Sequence, residues 1–156
     1  MKTILKLLIM CGIIMLTAFS CKKEQSNPCN ETGDGTTVET FDFFDINTPY
    51  AWVQNVDENE TIVNLIIQNQ QNYEKYVGIR SDTLRPEIDF EKFVLLAGRA
   101  IHNTCGHVKN QNVKQKCNTY YYTVNFEGGV CGAIVKVNYF VIVKNTNSKI
   151  KFSISL

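Results

Sequence analysis

The 156-residue chain holds no glycine-rich phosphate loop, no serine elbow and no zinc-protease helix. Those absences remove the most legible routes to nucleotide binding, serine hydrolysis and metalloproteolysis. No apolar run reaches the ~20 residues that span a bilayer. Residues 7–19 come nearest, and Lys6 blocks their extension. Internal repeats and low-complexity segments are missing as well. Net charge is only +1, too little for a nucleic-acid partner. Acid is scarce in one half: from Lys92 onward there are nine basic side chains and one carboxylate, Glu127. The preceding stretch, 22–91, is acidic in balance. Two halves of opposite sign neutralise each other across a sheet, or leave a cationic face for an anionic glycan, phospholipid or acidic protein.

What is present is concentrated first at the amino terminus. Lys2 and Lys6 precede the apolar 7–19 run, which closes on Leu16-Thr17-Ala18-Phe19-Ser20-Cys21. A basic start, a short apolar core and small residues before a cleavage point define a secretory signal. Ala18 and Ser20 suit ordinary cleavage too. The segment resembles a bacterial lipobox, with Phe19 bulkier than that pattern carries. The resemblance implies acyl chains on Cys21, each buried CH₂ contributing roughly 0.8 kcal/mol to anchoring. The cluster Cys21-Lys22-Lys23-Glu24-Gln25 resembles a surface-export tag of some Gram-negative lipoproteins, or opens a solvated linker. Residues 25–37, with Pro28, Gly33 and Gly35, read as a tether. The expected organisation is a lipoprotein signal over 1–20, a flexible tether over 21–37 and one mostly-β domain over 38–156. The expected location is the cell envelope, held to the outer membrane by lipid on its periplasmic face or at the surface.

Removal of the leader takes Cys11, lipid takes Cys21, and Cys29, Cys105, Cys117 and Cys131 remain. Four cysteines in an oxidising compartment imply two disulfides with three possible connectivities. Strand direction supplies a hint. If successive strands run up and down, Cys105 and Cys131 fall at one end and Cys117 at the other. That order selects Cys105–Cys131 and leaves Cys29–Cys117, which pins the tether to the domain.

The fold class expected is α+β, mostly antiparallel sheet with one short helix. Residues 62–68 are β-branched and bounded by polar side chains, a strand signal. Asn69 caps a helix over 70–77 that stops at Gly78, with Tyr73, Tyr76 and Val77 on one face. Residues 93–100 form an apolar run fit for a buried central strand. Residues 108–116 alternate as an exposed strand, 119–126 alternate around Tyr120, Tyr122, Val124 and Phe126, and 133–144 is strongly β-forming. Residues 145–148 read as a hairpin loop. Residues 149–156 place Ile150, Phe152, Ile154 and Leu156 on one side and Lys149 and Lys151 on the other. Together the C-terminal strands predict an antiparallel meander.

The succession Leu65-Ile66-Ile67, Asn69 through Tyr76, Ile88-Asp89-Phe90-Glu91-Lys92 and Phe93-Val94-Leu95-Leu96 resembles the domain of protease-complex accessory lipoproteins (PrcB-like). It runs from Ile62 to the end, in order of elements more than in identity. The glycine-tyrosine turn of that domain is replaced by Thr104-Cys105-Gly106-His107. The resemblance implies a non-enzymatic module and supplies no catalytic residues; no cofactor is expected.

Candidate chemistry is sparse. His102-Asn103-Thr104-Cys105-Gly106-His107 places two histidines around a cysteine, a ligand set for Zn²⁺ or Cu, or a Cys–His nucleophile pair. The competing reading is a disulfide turn with incidental histidines. Asp82, Glu87, Asp89 and Glu91 read as a solvated acidic loop. Tyr120-Tyr121-Tyr122 offers a sugar platform, or packs its outer two members inside. The basic half points to Lys136, Lys144, Lys149 and Lys151 as a contact face for an envelope protein or anionic glycan. The expected role is a non-catalytic binding or accessory module. The alternative is a metal-binding or thiol-dependent protein centred on His102, Cys105 and His107.

Overall fold

The computed structural model describes residues 33–43 and 50–156. The expected leader, Cys21 and Cys29 lie outside them. The described chain is mostly antiparallel β-sheet with one short helix. Its elements are β1 (Thr36–Thr37), β2 (Thr40–Phe41), β3 (Ala51–Val53), β4 (Ile62–Ile67), α1 (Gln70–Tyr76), β5 (Val77–Ile79), β6 (Phe93–His102), β7 (His107–Lys116), β8 (Thr119–Glu127), β9 (Val135–Lys144) and β10 (Lys149–Ser155).

The strands sort by how many of their faces are apolar. β6 is buried without a break over residues 94–100, and a strand apolar on both sides needs both sides covered. β9 likewise carries Tyr139, Val141 and Val143 on one side and Phe140 and Ile142 on the other. These strands join β4 and β2 in an inner sheet of order β2-β9-β6-β4. β8 buries Tyr120, Tyr122, Val124 and Phe126 while the residues between them stay half-exposed. It joins β1, β7 and β10 in an outer sheet of order β1-β7-β8-β10, apolar on one side. The inter-sheet core packs Leu96, Tyr139 and Val141 against Val113, Tyr122 and Val124. On the other side of the inner sheet, Leu95, Ala97 and Ile67 lie under Tyr73, Val77, Val53 and Phe43. The order is therefore outer sheet, inner sheet, then α1 with the β3–β5 ribbon.

The expected C-terminal meander does not form. β6 and β7, β8 and β9, and β9 and β10 lie in different sheets. β10 pairs with β8 in parallel, from Lys149 opposite Thr119 to Ser155 opposite Asn125. Residues 145–148 are thus a crossover between sheets rather than a hairpin loop. The cause is the sorting above: one-faced β7, β8 and β10 cannot replace two-faced β4 and β9 beside β6 without exposing apolar surface or burying lysines.

The helix starts as expected, with Asn69 Oδ1 accepting the Asn72 N–H at 2.8 Å. It ends one residue early, because Val77 is already extended and begins β5. Gly78 is needed for close approach instead: a Cβ there would lie 2.2 Å from the Trp52 ring. At the expected tether's end, β1 pairs with β7 and β2 with β9, so residues 36–41 pass from the outer sheet to the inner one along one edge.

Candidate functional site

Two regions carry the sequence-derived candidates. The first is the end where β6 crosses to β7 and β8 crosses to β9. Cys105, in the first crossover, is bridged to Cys131, in the second, with Cα atoms 5.6 Å apart. The strand-direction argument selects this pair, although the turns are sheet crossovers rather than hairpins. Hydrogen bonds from Cys105 N to Ala133 O and from Gly129 N to Thr104 O tie the same loops. Cys105 sits at φ +43°, left-handed backbone that a non-glycine residue adopts at a cost. Cys117 is disulfide-bonded too; its expected partner, Cys29, lies outside the described residues.

The histidines there are engaged locally. His102 Nδ1 is 3.3 Å from both the Thr104 N–H and its hydroxyl, and its ring stacks on Phe126. His107 faces Glu127 at 3.9 Å. The Cys105 sulfur, spent in a disulfide, is no thiolate nucleophile and a poor ligand. Among the described residues no three His, Cys, Asp or Glu side chains converge as a metal site.

The second region is the outward side of the outer sheet. Residues opposite one another in neighbouring strands share a face. Register places Lys114, Tyr121 and Lys151 in one row across β7, β8 and β10, and Lys116, Thr119 and Lys149 in the next. Strand spacing of about 4.8 Å sets β7 and β10 lysines roughly 10 Å apart, and alternate residues about 7 Å apart along a strand. The following rows are Asn112, Thr123 and Ser153, then Asn110, Asn125 and Ser155.

Charge sets this face apart. Lys92 pairs with Asp89, Lys109 with Glu127, Lys136 with Glu58 and Lys144 with Glu39. Lys136 also holds the Glu58 carboxyl below its usual range, chiefly through their hydrogen bond. Lys114, Lys116, Lys149 and Lys151 make no ion pair with any described carboxylate. Of the described lysines without a carboxylate partner, Lys75 alone lies elsewhere, on α1 over the Tyr76 ring. Instead the Lys116 and Lys151 ammonium groups lie 5.7 and 5.5 Å from the centroid of the Tyr121 ring. Like charges at such spacing sit within about one Debye length at physiological salt, so they repel until an anion or salt screens them.

The expected contact set is therefore split. Lys149 and Lys151 belong to the face around Tyr121, where no lysine has a carboxylate partner. Lys136 and Lys144 lie on the inner sheet and are already neutralised. Lys114, Lys116 and Tyr121 complete the face and were missed, although one signal was present: Lys114 and Lys116, like Lys149 and Lys151, alternate on a one-faced strand. Tyr120 and Tyr122 pack inside, as the second reading of the tyrosine triplet has it, while Tyr121 is half-buried. The acidic loop residues Asp82 and Asp89 pair with Arg80 and Lys92.

A shallow opening of about 480 Å³ between α1 and the 85–88 loop is lined by Gln70, Arg85, Pro86, Glu87 and Ile88. Arg85 is already committed there, donating to Val77 O and lying over the Tyr73 ring. Arg99, buried in β6, donates to the Asp57 and Glu60 carbonyls and pairs with Glu58 at 3.3 Å, which fixes the β3–β4 loop. No helix among the described residues is long and apolar enough to cross a membrane. No protein-family model, curated protein or solved structure matches the chain.

Proposed function

We propose that the chain is a non-catalytic binding module of the bacterial cell envelope. Acyl chains on Cys21 tether it to the outer membrane, and the outward side of the outer sheet docks an anionic partner. The observation that carries this reading is charge partition. Elsewhere every described lysine but Lys75 meets a carboxylate; Lys114, Lys116, Lys149 and Lys151 surround Tyr121 without one. A cationic face left unneutralised raises the local concentration of anions and speeds their association. The leader, the small residues before Cys21 and the following tether support the address. A Cys29–Cys117 bridge would hold the β7–β8 turn, and the lysines beside it, close to the tether's root.

A position-controlled comparison tests the face. Two full-length variants each lose four positive charges, one with Lys114, Lys116, Lys149 and Lys151 changed to Gln, the other with Lys75, Lys92, Lys136 and Lys144 changed to Gln. On immobilised inorganic polyphosphate, the first should elute at clearly lower salt than the second. Equal shifts would mean that net charge, not this face, governs binding, and the reading would fall.

A further inference from the structure

The face around Tyr121 offers more than charge. The Lys116 and Lys151 ammonium groups lie 5.7 and 5.5 Å from the centroid of the Tyr121 ring, so an aromatic surface stands among the lysines. Beyond it, in register, lie Asn112, Thr123 and Ser153, then Asn110, Asn125 and Ser155. Asn125 Nδ2 donates to Asn110 Oδ1 at 2.7 Å, so that pair of amides is oriented in advance. The whole surface is one side of a sheet. Its outward positions on β8 and β10 are Thr, Tyr, Asn, Lys and Ser, with no aliphatic side chain among them, and at the far end of β8 Glu127, which is paired with Lys109.

We infer that this face binds an anionic polysaccharide laid across β7, β8 and β10, with a sugar ring on Tyr121, its acid groups on the lysines and its hydroxyls on the Asn, Thr and Ser rows. The inference rests on the docking face proposed above and names its partner class. Each part of the surface matches a part of that ligand. The ring accepts the C–H face of a pyranose, the ammonium groups accept carboxylate or phosphate, and short amides and hydroxyls both give and take hydrogen bonds. A bilayer would call for apolar side chains that enter the interface. A protein partner would call for an apolar centre with a polar rim. Neither is present: the large exposed apolar side chains, such as Trp52, Ile66, Leu84, Val130 and Ile134, lie on other elements.

Calorimetric titration of the full-length protein in detergent micelles tests this with four probes: polygalacturonate, neutral dextran, poly-glutamate and inorganic polyphosphate. Polygalacturonate should bind most tightly and dextran least. Tyr121→Ala should weaken polygalacturonate binding about tenfold, Tyr121→Phe should restore it, and neither should change poly-glutamate binding. If poly-glutamate or polyphosphate binds as well as polygalacturonate, or Tyr121→Ala has no effect, the polysaccharide assignment is overturned while the cationic docking face stands. If none of the three polyanions binds, both readings fall.

Discussion

Opening the Cys105–Cys131 bridge should act almost entirely through the unfolded chain. The bridge joins two sheet crossovers and closes a loop with a sequence separation of 26 residues. Chain entropy then gives a stabilisation of about 3.5 kcal/mol at 25 °C. The native ends stay close without it, because Cys105 N–Ala133 O and Gly129 N–Thr104 O persist, so little native enthalpy is lost. The perturbation is Cys105→Ala with Cys131→Ala, both at once, so that no free thiol attacks the disulfide of Cys117. Urea unfolding should show a loss of about 3.5 kcal/mol and a steeper dependence on denaturant, since the freed chain expands further. The thermal midpoint should drop by roughly 10–20 °C. Cys105→Gly with Cys131→Ala should recover about 1 kcal/mol of that loss, because φ +43° suits glycine. A loss under about 1 kcal/mol with an unchanged slope would refute the entropic argument.

Other expectations follow from the core and its phenols. A Cβ on Gly98 would lie 2.2 Å from Tyr139 Cζ across the β6–β9 register. Gly98→Ala should therefore cost about 1–3 kcal/mol by overpacking, and a neutral result in urea unfolding would contradict the close packing. Burial pushes Tyr73 up to about 12 and also raises Tyr122 and Tyr139. Each folded value lies above the unfolded one, so the phenols' contribution is complete below about pH 10 and is lost as pH rises through the folded values. Circular dichroism at fixed urea should show stability falling from about pH 10 upward; a flat profile to pH 12 would contradict their burial. Tyr122 also donates to Gln111 Oε1 at 2.5 Å while Gln111 Nε2 reaches Phe140 O in the inner sheet. Tyr122→Phe should cost about 1 kcal/mol at neutral pH, and the difference from the natural chain should shrink in alkali; a constant difference would mean that Tyr122 does not titrate with unfolding.

Strand positions were largely legible because alternation reports burial directly: Tyr120, Tyr122, Val124 and Phe126 point inward as their spacing requires. The Asn69 cap was legible too, since its side chain does local work. Sheet membership was not, because hairpin logic pairs each strand with its neighbour in sequence. The corrective signal was the number of apolar faces. Residues 137–143 are apolar on both sides and belong beside β6, whereas Lys149–Ser155 is apolar on one. Once β9 returns in the inner sheet, β10 must start at the same end as β8 and run parallel to it, with Lys149 N bonded to Asn118 O. The contact face was half legible for the same reason. Lys149 and Lys151 shared it by alternation, but Lys136 and Lys144 were assigned by charge alone, without the carboxylates that tertiary structure brings to them.

Under the proposed function, the outward side of the outer sheet is covered by a partner in the cell envelope. Amine-reactive footprinting, read residue by residue by mass spectrometry, measures this on intact envelopes and on the purified protein. Lys116, Lys149 and Lys151 should react several-fold more slowly in the envelope and recover in the purified protein or at high salt, while Lys75 reacts alike in both. Equal labelling of the face and of Lys75 in both samples would show the face to be bare and would contradict the account.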